Sequence, residues 1–470
     1  MRRHWHALEP HGDRVVADVT DVLILGGGIS GLASAYFLSR RGIASTIVEK
    51  QPRLGGLIRT DAVQGCALEA GPDSYIAAKP AVTELAEQIP GLSEEVIGAN
   101  EDNRRIFLVK NGGLVPMPKG MAMMVPADMR AALASPLFGA STKQRFLRER
   151  HQKARERTTD VSIAEFVRDH FDDAVLDMVA EPLLTGVYGG DARNLSAASV
   201  LPRFLEYERR YGSLIRAVRS ERKQQTGSLF LSFRHGMQTL TDAIHRATSP
   251  AATVVSGEAT AMEHDSRGWR VRVNNGWGTY RRVIIALPAP SAARILERAD
   301  VELTSELAQI PYSSAITVVV VYRKASIDHP LDGFGFLVPR PERRQLAACT
   351  WINTKFPNRI AAGYIALRGF IVGQDAEGLM LGGDEQILSV VKREFARLMG
   401  IDAEPTFHTL HRWPASMPQY VVGHNARRNR IQKLVAAHPG LALVGNAYEG
   451  VGIPDCLRLA RIAAESIVLP

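Results

Sequence analysis

Six residues, Gly26-Gly27-Gly28-Ile29-Ser30-Gly31, leave few folds open to this chain. They follow an apolar run over 21–25 (DVLIL) and open a segment of helical character that reaches Arg41 and is stopped by Gly42. A second run, 44–49 (ASTIVE), comes next. Strand, glycine turn, helix and strand in that order form a βαβ unit, and small residues at the helix start let backbone amides approach a pyrophosphate. Glu49 stands 18 residues beyond Gly31, where a carboxylate accepts hydrogen bonds from a ribose 2′-hydroxyl and repels a 2′-phosphate. The glycines alone would suit any tight turn followed by a surface glutamate. With strand, helix and acid in register, a dinucleotide-binding sheet is the better reading.

The rest of the chain is organised around that entry. Its 470 residues, 46% of them apolar, are enough for roughly three folded units. A polar leader occupies residues 1–19, with mixed charge and no apolar core of a secretory signal. Over about 141–222 the pattern is helical and charged. Strands return at Val254 and Val255, at 269–273 (WRVRV), at 280–287 (YRRVIIAL) and at 316–322; the last two are β-branched and continuous enough to be central. A short strand at 441–444 leads through a glycine-rich loop into a helical tail over 455–468. Cys66, Cys349 and Cys456 are too scattered for a metal pair or a disulfide framework and read as reduced and buried.

Charge excludes less. A net charge of +8 suits an anionic surface or a carboxylated ligand. The basic run 145–157 (RFLRERHQKARER) is interrupted by Glu149 and Glu156, so it reads as a solvated helix face rather than a nucleic-acid or membrane surface. No apolar run approaches the roughly 20 residues of a membrane-spanning helix. No HExxH or GxSxG pattern occurs, so neither a zinc site nor a nucleophile elbow is expected.

Several stretches, taken together, resemble one family. Glu49-Lys50-Gln51-Pro52-Arg53-Leu54-Gly55-Gly56 is similar to the segment that sets an arginine and two glycines against the FAD diphosphate in the amine oxidase and protoporphyrinogen oxidase superfamily. Leu57 stands where an arginine often follows, and Arg59 comes two residues later. Glu69-Ala70-Gly71-Pro72-Asp73-Ser74-Tyr75, Glu181 to Asp191 (EPLLTGVYGGD), Phe233 to Leu240 (FRHGMQTL), Gly333 to Pro339 (GFGFLVP), Met417 to His424 (MPQYVVGH) and Gly445 to Cys456 (GNAYEGVGIPDC) resemble protoporphyrinogen oxidases in particular, in family order. The resemblance implies an α/β fold: a Rossmann-like FAD-binding domain (20–73, 232–295 and 437–470), a mixed-sheet substrate domain (74–97 and 296–436) and a helical insertion (98–231).

The same resemblance implies the site. FAD would lie against Gly26, Gly28, Ile29, Ser30, Gly31, Glu49, Lys50, Arg53, Gly55, Gly56, Leu57, Gly71, Pro72, Asp73, Ser74, Gly445, Asn446, Val451, Gly452 and Ile453, with backbone groups of Val254 or Val255 on the adenine. The substrate would be a porphyrinogen, with Arg105, or Arg104 beside it, on a propionate, and Gly186, Phe334 and Leu337 bordering the macrocycle. Oxidation would be centred on the flavin, with no catalytic triad and with molecular oxygen taking the electrons to give hydrogen peroxide. Protoporphyrinogen IX is the expected substrate. Coproporphyrinogen III, an amine oxidase or carotenoid desaturase chemistry, and a non-catalytic porphyrin carrier are the rival readings. The expected location is the cytoplasm. Peripheral membrane contact through the helical insertion, with Met121 to Pro126 as a shallow apolar patch or plain core, stays open, as does a homodimer; nucleic acid is not an expected partner.

Overall fold

The structure is a computed structural model that describes residues 22–221 and 227–467, so the leader and Val468 lie outside the described residues. The first strand, β1 (Val22–Leu25), is wholly buried and enters helix α1 (Ile29–Ser39), after which β2 (Ser45–Glu49) runs parallel to it. The sheet that grows from them is entirely parallel, in the order Ala252–Ser256, β2, β1, Arg282–Ile285, Leu441–Leu443. Burial on both faces explains why β1 and, after Arg282, the residues Val283 to Ile285 are aliphatic without polar alternation. One face carries α1, Gln238–Thr248 and Ile453–Ser466; Leu32, Leu38, Leu240, Leu457 and Ala460 are buried there. The other face is covered by an antiparallel meander, Ala259–Asp265, Gly268–Val273 and Gly276–Tyr280, packed through Trp269 and Val271.

The run expected as one strand over 280–287 is two. Tyr280 ends the meander, and the parallel strand starts at Arg282. The break falls at Arg281, between Tyr280 and Arg282, where two charged residues interrupt the apolar run.

A second, mixed sheet of seven strands stands beside the first. Its order is Phe407–Pro418, Tyr312–Arg323, Tyr364–Val372, Ala348–Trp351, Gly335–Leu337, Ile106–Lys110, Gly113–Pro116. Tyr312–Arg323 lies inside the sheet, as its β-branched run VVVV predicts. Two of these strands correct the expected bounds of the helical insertion, although Ile106 to Val109 is strand-like in sequence. Ile106–Lys110 and Gly113–Pro116 fall inside the stretch 98–231 expected to be helical, yet they pair into this sheet, with Ile106 parallel to Gly335.

The helical part proper starts later, with Ala140–Glu149, Ile163–His170, Glu181–Tyr188, Pro202–Tyr211 and Leu214–Ser220. Phe146, Phe166, Phe171, Leu184 and Ile215 form its core. A capping box starts Ile163–His170, with Glu165 and Ser162 exchanging side-chain and backbone hydrogen bonds. Most of the basic run 145–157 is exposed, as expected of a solvated face, but one of the acids that interrupt it turns inward. Glu149 is buried and accepts from Ser213 Oγ at 2.7 Å and the Leu214 amide at 2.6 Å, capping the helix Leu214–Ser220. Met121–Ala122 and Val125–Pro126 form a small hairpin in which Met124 and Val125 are fully buried core, while Met123 at its turn is exposed. All three cysteines are free and buried. Among the described residues no helix is long and apolar enough to cross a membrane.

Candidate functional site

The glycines after β1 are spaced by close approach. A Cβ on Gly31 would lie 1.9 Å from the carbonyl oxygen of Gly26, and Gly26 itself has φ +104°. Only glycine fits either place. Gly55 then folds back, pairing with Gly28 in an isolated bridge and donating its amide to the Gly27 carbonyl at 2.8 Å. Arg53 braces this turn from behind: its guanidinium donates to the carbonyls of Leu54, Gly56 and Ile58. Burial first, then the nearby Arg59 charge, lowers its affinity for a proton. Glu49 accepts from the Gly27 amide at 2.7 Å and from the Gln51 amide at 2.8 Å, and each carboxylate oxygen keeps a lone pair for a ribose hydroxyl. Lys50 is exposed and pairs with Glu258 at 3.4 Å. Leu57 is partly exposed at the mouth of the turn. Val254 and Val255 run alongside Ile47 and Val48 of β2, half-buried at the sheet edge.

A second glycine turn comes from the chain's end. Gly452 caps the helix Ile453–Ser466 without a side-chain partner, as Gly28 caps α1. Tyr420, buried and stacked on His424 at 4.0 Å, donates its hydroxyl to the Asn446 carbonyl at 2.8 Å and accepts from the Gly450 amide at 2.9 Å. Burial and the neighbouring Tyr188 raise the Tyr420 hydroxyl's proton affinity, so it stays neutral. Asp455, in the first turn of that helix beside Val451 and Gly452, pairs with Lys79 at 2.6 Å. Tyr420 lies in a motif quoted above, yet no role for it was legible there; its two bonds tie a loop 26 and 30 residues away.

The strap Ala70 to Ser74 closes the middle. Gly71 packs so tightly on Leu57 that a Cβ would fall 1.8 Å from its carbonyl oxygen. Pro72 follows, half-buried, and Asp73 meets Lys355 at 2.8 Å and Arg368 at 3.7 Å. Burial alone would raise the Asp73 carboxyl, but Lys355 and then Arg368 outweigh it and hold it well below the usual carboxylate range. Ser74 Oγ donates to Asp73 at 2.7 Å. Behind the strap, Glu69 is buried against Arg359 at 3.1 Å, and burial pushes its carboxyl upward. None of Lys355, Arg359 or Arg368 was anticipated from sequence.

These features fit a dinucleotide cofactor. Two helix N-termini carry no side-chain cap; at the second, Pro454 has no N–H and the Asp455 amide donates to the Gly452 carbonyl at 3.0 Å, so α1 offers the fuller set of free amides. The space over Gly28 and Gly445 is open: a Cβ on Gly28 would meet nothing closer than 3.8 Å, and one on Gly445 nothing within 4 Å.

The residues expected at the substrate converge around one strand. Arg105 precedes Ile106–Lys110; its carbonyl accepts from the Phe334 amide at 2.7 Å and its side chain pairs with Asp332 at 2.7 Å. Arg104 is bound to Glu101 at 3.3 Å in the preceding turn. Leu337 lies on the paired strand, half-buried against the helical core. Gly186 is exposed on Glu181–Tyr188, the helix that packs on this strand, with Val187 exposed beside it. Phe334 differs from expectation. Its side chain is buried with Ala99 and Phe356, so it is core rather than an open wall.

Comparison with known proteins agrees with this geometry. Residues 29–468 match the family described as flavin containing amine oxidoreductase. The coproporphyrinogen III oxidase of Bacillus subtilis (strain 168) is 31% identical, over 94% of this chain and 96% of that protein. Protoporphyrinogen oxidase of Bos taurus is 28% identical, over 95% and 98%. A crystal structure named "Putative protoporphyrinogen oxidase", from Exiguobacterium sp. 255-15, superposes with a TM-score of 0.85 at 30% identity, over 96% and 98% of the two chains. By this match over nearly the whole chain, the chain belongs to the flavin-containing amine oxidoreductase family.

Proposed function

We propose that this protein oxidises a porphyrinogen to the corresponding porphyrin in haem biosynthesis, with molecular oxygen as the final acceptor and hydrogen peroxide as the second product. The cofactor is FAD. The observation that carries the reading is the near full-length likeness to porphyrinogen oxidases, in a chain where the strand Gly335–Leu337 pairs with the one that follows Arg105 and packs on the helix that bears Gly186. Sequence alone favoured protoporphyrinogen IX. The bacterial relatives shift the balance to coproporphyrinogen III, and the likeness to the bovine enzyme keeps protoporphyrinogen IX as the second reading.

Bound FAD supplies hydride acceptance at its ring, in repeated two-electron steps until the macrocycle is aromatic. The chain's own work is to bind and orient. Glu49 and the amides around Gly28 hold the nucleotide half, and Tyr420 fixes the loop 445–450 that borders the other half. Arg105, half-exposed, offers a planar fork to a propionate, which would displace Asp332. Leu337, with the backbone at Gly186, supplies apolar surface for a flat macrocycle. The catalytic centre needs no protein nucleophile.

Two measurements test this. In anaerobic mixing of the holoprotein with each porphyrinogen, coproporphyrinogen III should bleach the flavin faster, with porphyrin fluorescence and peroxide appearing on admission of air. Bleaching by neither substrate, with FAD bound, would sink the oxidase reading and leave the carrier or an amine substrate. Arg105→Ala should weaken substrate binding by about 1.5 to 3 kcal/mol, the loss of one charge-assisted hydrogen bond. This corresponds to roughly a ten- to hundredfold rise in KM. The flavin spectrum should not change, and unchanged kinetics would move the role away from Arg105.

A further inference from the structure

The strap Ala70 to Asp73 is gripped from two sides. On one side Gly71 presses on Leu57, the residue after the turn that bridges Gly28. On the other, three strands of the seven-stranded sheet reach across. Thr317 Oγ1 and Trp413 Nε1 both donate to the Ala70 carbonyl, at 2.7 and 3.0 Å, and Arg368 donates to the Gly71 carbonyl. The strap is therefore the seam at which the substrate sheet sets the depth of the cofactor cradle.

Arg368 is the unusual member of this seam. It is buried on the inner strand Tyr364–Val372, its guanidinium lies 4.5 Å over the Phe370 ring, and its Nε has no hydrogen-bond partner. Buried charge is costly unless paired. Pairing here is incomplete: Arg368, Arg359 and Lys355 face only two carboxylates, Glu69 and Asp73. Lys355 makes the close contact to Asp73, leaving Arg368 at 3.7 Å from it. A cation retained at such cost, with its fork on the backbone of the cofactor strap, acts on something at the strap that a neutral side chain would not serve.

We propose that Arg368 is a positioning residue for the flavin: it fixes the strap Ala70 to Asp73 against the glycine turn and places an excess buried cation there, which favours the electron-rich reduced form of FAD. In a low-dielectric seam such a charge acts over several ångströms with little screening, and charge near the ring is one of the levers a protein has on flavin electronics. The inference rests on the reading that the strap borders the flavin.

The test is potentiometric titration of the purified holoprotein against a redox dye, with FAD affinity measured separately by ultrafiltration. Arg368→Met, which keeps the length of the side chain, should bind FAD more weakly. Its reduced-to-oxidised affinity ratio should fall about tenfold, or roughly 30 mV for a two-electron couple. Arg368→Lys should hold the potential near that of the parent while losing FAD affinity, because it keeps the charge and loses the fork. Asp73→Asn, which adds to the excess, should move the potential the opposite way from Arg368→Met. A parent protein that binds no FAD would defeat the flavin reading itself. A parent that binds FAD, with Arg368→Met and Asp73→Asn at its own potential, overturns the role of Arg368 alone. If Arg368→Met does not accumulate folded, an unshifted potential in Asp73→Asn is sufficient to overturn it.

Discussion

Gly31→Ala is expected to yield protein that does not retain FAD and unfolds at lower temperature. The added methyl would sit 1.9 Å from the carbonyl oxygen of Gly26 and 3.1 Å from its carbon, and both are backbone atoms that cannot swing aside. Relief requires α1 to move away from the turn, or Gly26 to move towards Ala286, whose carbonyl oxygen already lies 2.9 Å from where a Gly26 Cβ would be. Overpacking of this kind costs about 1 to 3 kcal/mol. The cofactor's contribution to stability is lost with it, about 2.7 kcal/mol when free FAD is a hundredfold above its dissociation constant. Gly28→Ala separates the two losses. Its methyl would meet nothing closer than the Gly56 Cα at 3.8 Å, at an ordinary φ of −71°, so the apoprotein should be as stable as the parent. That methyl points into the open cradle, and FAD affinity alone should fall. Flavin content after gel filtration and melting with and without added FAD decide the matter; Gly31→Ala with full flavin and an unchanged melting temperature would refute the close-approach argument.

This pair shows why part of the site is legible in sequence. Glycine spacing records backbone contacts, and Gly26, Gly31, Gly55 and Gly71 all mark places where one strand of chain touches another. The periodicity of β1, α1 and β2 is local, so it too can be read without a structure. What cannot be read is pairing across long separations. Arg359 meets Glu69 from 290 residues away, and Lys355 meets Asp73 from 282. In the sequence such residues look like ordinary surface charges, since nothing nearby announces burial. Ile106 to Val109 is strand-like in sequence, but the sheet it joins was not legible, so the helical insertion was drawn to include it and Gly113–Pro116. The partner of Ile106–Lys110, Gly335–Leu337, is short and far off, and local pattern cannot show that pairing. Phe334 was misjudged for a related reason: an aromatic residue in a motif looks exposed to ligand until Ala99 and Phe356 are seen to cover it.

Glu208→Ala should destabilise the helical part by about 3 to 5 kcal/mol, the usual result of leaving buried cations without their partner. Glu208 is buried and receives Arg157 Nε at 2.7 Å, Arg155 at 2.8 Å and the ring of His170 at 3.3 Å, while His170 contacts Glu149 at 3.1 Å on its other side. The wholly buried His170 ring therefore lies between two carboxylates, and Asp169 completes the cluster against Arg155 and Arg157. Burial opposes charge on Glu208 and on His170, but the hydrogen bonds win at both: Glu208 is held down at about 2, and His170 is raised above its ordinary value. These shifts act on opposite sides of neutrality. Glu208's contribution is complete above its unfolded value of roughly 4.3 and is lost as pH falls from there through about 2. His170's contribution is complete below its unfolded value of roughly 6.5 and is lost as pH rises through its higher folded value. The cluster thus stabilises most between about pH 4.5 and 6.5. Hydrogen exchange on the helices Ala140–Glu149, Ile163–His170 and Pro202–Tyr211 should show faster opening in Glu208→Ala at pH 6, with the gap from the parent narrowing towards pH 3. The exposed pair of Glu206 with Arg209 on the same helix is the control, because Glu206→Ala leaves no buried charge behind and should exchange like the parent. Equal exchange in Glu208→Ala and the parent at pH 6 would mean that the arginines find water instead, and that the helical core holds without them.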